Sequence, residues 1–133
     1  MIELVYILRA FAEETMCNSQ KKCDKSALCI KFGELEKFIF EELWQKERIA
    51  IYGTAWELKR ELERLADLGI LKYESDRIEI EDPDEFLKKT EPFVLVANNM
   101  TAGNSYLKHI IKKIQDSARE YIKGIEGLVP QSA

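Results

Sequence analysis

The stretch from Thr54 to Leu71 limits the fold more than any other part of the chain. Thr54-Ala55-Trp56-Glu57 fits the capping box, in which a threonine hydroxyl takes an orphan backbone N–H and the glutamate reaches back toward the cap. Leu58, Leu62, Leu65 and Ala66 then form one apolar stripe at helical spacing, and Gly69 supplies the left-handed stop. The spacing predicts a helix over 55–68. Directly after it, Leu71-Lys72-Tyr73-Glu74 and Arg77-Ile78-Glu79-Ile80-Glu81 alternate apolar and polar residues around Ser75-Asp76, the pattern of a tight hairpin. A capped helix must therefore run through one glycine into a pair of antiparallel strands.

The flanking sequence is mainly helical in pattern. Leu4, Val5, Leu8 and Phe11 predict a first helix over 2–15, and the polar stretch 16–25 reads as a loop. Leu28, Phe32, Leu35, Ile39 and Leu43 predict a second helix over 26–46, with Gly33 marking a start or a break. Ile49 and Ile51 alternate in the connection that follows. Asp82-Pro83 has the cap and first-turn proline of another helix. The apolar run 93–97 fits a strand or a buried helix equally, and 98–104 reads as a loop. A last helix is expected over 105–126, where Leu107, Ile111, Ile114, Ala118, Tyr121, Ile125 and Leu128 are spaced alternately four and three apart. That is a heptad seam, and it is expected to pack on its own domain or to pair two copies as a homodimer.

The helix, helix, capped helix and hairpin over residues 26–82 resemble the winged helix-turn-helix superfamily. Thr54 to Leu71, with its Leu-x-x-x-Leu-x-x-Leu stripe running through Gly69, and the wing Lys72–Glu81 carry the resemblance. The expected fold class is thus mainly α with a small β-hairpin: a winged helix-turn-helix core plus a long C-terminal heptad helix. Residues 1–92 would form the winged domain and 93–133 a C-terminal extension for dimerisation. The connection 47–53 is longer than the family's usual turn, and Ile49 and Ile51 are candidates for its small third strand. The resemblance implies a small dimeric transcriptional regulator that binds double-stranded DNA with helix 55–68 in the major groove and the 71–81 wing beside it. Thr54, Trp56, Lys59, Arg60 and Arg64 on the helix, with Lys72 and Arg77 on the wing, would face DNA.

Charge tests that implication. The chain has 20 basic and 24 acidic residues, a net charge of −4, whereas phosphate neutralisation needs a local excess of lysine and arginine. Residues 16–33 and 104–128 are net basic, while 54–69 and especially 70–92 are net acidic. An acidic wing and an exposed Trp56 also suit a protein-interaction module that binds no DNA.

Catalytic and metal signatures are sparse. Cys17-x5-Cys23-x5-Cys29 is too widely spaced for the usual zinc ligand pattern. A Cys17–Cys23 disulfide is the alternative, and Cys29 reads most simply as a core residue. His109 is the only histidine and has no nucleophile motif near it. No phosphate-binding glycine loop or zinc-protease motif occurs, so neither an enzyme nor a cofactor is expected. No apolar run approaches the roughly 18–20 residues of a membrane span, and the first residues lack the pattern of a signal peptide. A cytoplasmic protein is expected.

Overall fold

The computed structural model describes residues 2–18 and 28–124, with side chains described from 2–15 and 28–124. The chain is mainly helical with a small three-stranded antiparallel sheet. In order, it forms α1 (Ile2–Asn18), β1 (Leu28–Lys31), α2 (Phe32–Lys37), which continues without a break as a π-helical stretch (Phe38–Lys46), and α3 (Ala55–Asp67). There follow β2 (Lys72–Glu74), β3 (Arg77–Ile80), α4 (Pro83–Lys89), α5 (Glu91–Met100) and α6 (Ser105–Lys123).

The helix expected over 26–46 begins instead at Phe32, and its first residues are strand β1. Leu28, Ile30 and Phe32 satisfy a period of two as well as the helical spacing, so the sequence pattern is ambiguous there. Tertiary pairing resolves it. Leu28 faces Ile80 and Ile30 faces Ile78 across an antiparallel ladder, all four buried. β3 is the central strand, in the order β1-β3-β2. Ile49 and Ile51 therefore do not provide the third strand: Ile49 is buried and Ile51 half-buried in an irregular connection.

The hairpin forms as expected. Ser75 and Asp76 both have positive φ, 50° and 59°, the two-residue turn whose twist matches the flanking strands. The Asp76 carbonyl also accepts from the Phe32 N–H at 2.8 Å, which fastens the tip of the hairpin to the start of α2. At the other end of the site helix, Gly69 (φ 77°) donates to the Ala66 carbonyl and Ile70 to that of Leu65. This is the paired bonding of a glycine-terminated helix.

α1 is the central element, and it is buried well beyond the single face its spacing suggests. Leu4 through Leu8 and Ala10 through Ala12 are all buried, because α4, α5 and α6 pack around it. Arg9 emerges between them, donating to the Leu87 carbonyl at 2.9 Å and the Thr90 hydroxyl at 2.6 Å, at the C-terminal end of α4. There the helix dipole favours a cation. The apolar run 93–97 is helical, and α5 extends to Met100, so the expected 98–104 loop shortens to the turn before Asn104, whose side chain caps α6.

α6 spends its apolar stripe inside the chain. Ile114, Ala118 and Ile122 are buried in the same core as α1, and Tyr121 donates to the backbone and carboxylate oxygens of Glu34 at 3.3 and 3.0 Å. Ion pairs Arg119–Glu13 and Lys123–Glu14 fasten α6 alongside α1 in a parallel direction. Of the expected dimer seam, Ile114 and Ala118 are thus covered intramolecularly, Ile111 and Tyr121 are half-buried, and Leu107 is exposed. Ile125 lies outside the described residues. The buried positions thus run 114–118–122, the row turned toward α1, and do not continue the alternating four-three seam.

Candidate nucleic-acid interface

α3 is held by its own ends and by its leucines. Leu58, Leu62 and Leu65 are fully buried, and the opposite face carries Trp56, Lys59, Arg60, Glu63 and Arg64, all exposed. Thr54 accepts from the Glu57 N–H at 3.3 Å, and Glu57 accepts in turn from the Gly53 N–H at 2.8 Å. The reciprocal bond therefore reaches one residue further back than in the standard capping box. Replacing Thr54 with alanine leaves one helix donor unpaired and should cost about 1 kcal/mol. Urea denaturation would check this, and an unchanged midpoint would refute the capping role.

Every cation expected to face DNA already has a neighbour. The Arg60 guanidinium lies over the Trp56 ring, 4.9 Å from its centroid. Trp56 is not tucked beneath α1: it is 63% exposed, a flat plate with an arginine on top. Lys59 sits 5.3 Å from the Phe32 ring centroid and 4.0 Å from Asp76 in the hairpin turn. Arg64 is 3.7 Å from Glu61. Lys72 binds Glu81 across the hairpin at 2.6 Å, and Arg77 donates to the Cys29 sulfur at 2.8 Å.

The partners of Lys59, Lys72 and Arg77 were hidden from the sequence because pairing of the chain in space supplies them. Lys59 meets Asp76, and Arg77 meets Cys29, through the β1-β3 ladder and the hairpin turn. The local clues were the spacings Trp56–Arg60 and Glu61–Arg64, four and three residues apart on one helix. Cys29 is corrected in the same way. It is half-exposed on the outer face of the sheet, opposite Glu79, because alternation in β1 sends Leu28 and Ile30 inward. The side chain of Cys17 and all of Cys23 lie outside the described residues. Among the described residues no cluster of histidine, cysteine or carboxylate side chains could hold a metal ion.

The comparisons with known proteins add no relative. No protein-family model, no curated protein and no solved structure matches this chain. No described helix is long and apolar enough to cross a membrane.

One ion pair lies wholly within the hairpin, between Lys72 and Glu81. The Lys72 ammonium, hydrogen-bonded to Glu81, holds that carboxyl below its ordinary value, and Glu81 raises Lys72 in return. A depressed carboxylate stabilises the fold above its ordinary titration range and loses that contribution as pH falls through the lowered value. Lys72→Ala should therefore move the Glu81 titration upward, read by NMR. A midpoint that stays put would show the pair is not formed in solution. Behind the site helix, burial and then the carboxylates of Glu61, Glu3 and Glu57 push the Tyr52 hydroxyl far above its usual range, so it stays protonated.

Proposed function

We propose that α1 together with residues 28–82 forms a winged helix-turn-helix and that the chain is a DNA-binding regulator, with α3 in the major groove and the β2–β3 hairpin as its wing. One observation carries the reading. The order α1-β1-α2-α3-β2-β3 with sheet order β1-β3-β2 leaves the capped α3 with its polar face outward and the hairpin beside it. A helix presenting Lys59, Arg60 and Arg64 on one exposed face has the width and the donors a major groove accepts. Thr54 and Trp56 lie at its entering end, and Lys72 and Arg77 lie on the wing. The Lys59–Asp76 and Lys72–Glu81 pairs are exposed and weak, so phosphates can take over their cations.

The test is titration of a labelled duplex at several salt concentrations. Affinity that falls steeply with salt supports the reading, because phosphate contacts release counterions. Absence of binding at low salt refutes it.

A second reading, a protein-docking module, is favoured by the Trp56–Arg60 plate and by the carboxylates of Glu74, Asp76, Glu79 and Glu81 around the hairpin. Tryptophan and arginine are the side chains most enriched among binding hot spots. A folded protein without duplex affinity that loses a protein partner on Trp56→Ala would favour it.

A further inference from the structure

The exposed cations of α3 differ in what they touch and in where they point. Lys59 is 4.0 Å from Asp76, and Arg64 is 3.7 Å from Glu61. Among the described residues Arg60 has no carboxylate partner; its neighbour is the Trp56 ring, with the centroid 4.9 Å away. Trp56 stands one turn toward the N-terminus, the direction in which helical side chains lean. The ring thus restrains the cation, and no carboxylate takes up its N–H donors.

Direction separates these residues as well. The outermost line of α3 is the one opposite the buried Leu58, Leu62 and Leu65. At about 100° per residue, Arg60 lies about 15° from that line and Trp56 about 25°. Glu63 and Arg64 lie about 50° away on opposite sides, and Lys59 about 85° round. Asp67 returns to the outermost line at the far end of the helix, about two turns beyond Arg60. A phosphate backbone repels its carboxylate, so the N-terminal half of α3 is the half that can enter, the one with which recognition helices meet base edges.

We propose that Arg60 is the sequence-reading residue of α3, that it recognises guanine, and that Trp56 positions it. Arg60 can select a base only if α3 enters the groove, so the assignment rests on the nucleic-acid reading and adds what the helix selects. For a helix seated in the major groove, the outermost line faces the floor, where the base edges lie, and the flanks face the phosphates. Guanine offers two acceptors there, O6 and N7, matched by two N–H groups of one guanidinium. Adenine sets a donor beside its N7, thymine has a single acceptor and cytosine presents a donor. Glu63 fits the same placement, because a phosphate repels its exposed carboxylate while a cytosine amino group donates to it. Lys59 and Arg64, on the flanks, are left for phosphates.

A pool of duplexes with a randomised centre, selected on the wild-type protein and sequenced, should enrich a guanine at a fixed position. Exchanging that guanine for 7-deazaguanine, which lacks the N7 acceptor, should weaken binding about tenfold or more. Arg60→Ala should abolish both the enrichment and the 7-deazaguanine penalty while leaving the salt slope unchanged. Arg64→Ala should keep the guanine and make the slope shallower by about 0.9. Trp56→Ala should reduce the guanine preference, and Trp56→Phe should restore part of it. All four variants alter exposed positions and should melt with the wild type. Salt-dependent binding with no fixed guanine overturns the assignment and spares the nucleic-acid reading, as does a guanine preference that survives Arg60→Ala. A wild type that binds no duplex at low salt removes the nucleic-acid reading and the assignment with it.

Discussion

Replacing Phe38 with alanine should lower the unfolding free energy by about 3–5 kcal/mol, the usual cost of emptying a large buried aromatic site. Phe38 is completely buried where α2 passes into the π-helical stretch. Its ring meets Phe11 of α1 edge-on, with centroids 5.7 Å apart, and Tyr121 of α6 at 5.1 Å. One side chain thus joins three elements distant in sequence. Both ring pairs lie in the distance range where aromatic contacts add roughly 0.5–1.5 kcal/mol beyond burial. Removing the ring leaves a cavity between helices that cannot close without moving α6. Against a total stability of about 5–15 kcal/mol for a domain, this is a large fraction. Melting and urea curves should shift together, and a loss below about 1 kcal/mol would show that the site collapses freely.

The second large effect concerns the surface. In the double variant Arg60→Ala/Arg64→Ala, duplex affinity should fall by roughly tenfold or more for each lost contact. The salt slope should become shallower by about 0.9 for every arginine that neutralises a phosphate. The reason is positional. Both guanidinium groups lie on the exposed face of α3, one held flat by Trp56 and the other loosely paired with Glu61. Neither supports the core, so the variant should melt with the wild type. Trp56→Ala should reproduce part of the Arg60 effect, since it removes the plate that orients that side chain. Wild-type binding with an unchanged slope in the double variant would remove α3 from the interface.

Much of the local structure is legible in the chain because it depends on neighbours a few residues apart. Thr54, the leucine stripe and Gly69 define α3 at both ends, and Ser75-Asp76 define the hairpin turn. Asp82-Pro83 starts α4 as expected. The failures share a different cause. Residues 28–31 carry both periodicities, and only contact with Ile78 and Ile80 makes them a strand. The apolar run 93–97 is equally undecided until α5 lies against α1. The candidate site was legible as a set of exposed side chains, since residues opposite a leucine stripe must face outward. Its electrostatics were not: Asp76, Glu81 and Cys29 reach Lys59, Lys72 and Arg77 only through sheet pairing.

The terminal helix shows where the division falls. By itself, the sequence determined that α6 exists, where it starts and that one side is apolar, because caps and periodicity act within a few turns. Which surface that side meets was decided by the tertiary structure. Ile114, Ala118 and Ile122 are buried in the core that contains α1, and Tyr121 meets Phe38, while Leu107 and Tyr106 remain uncovered. Hydrophobic burial is nondirectional and blind to sequence distance, so a stripe states that it needs a partner without naming one. The packing of α1 among α4, α5 and α6 names it for half of the helix and leaves the other half at the surface.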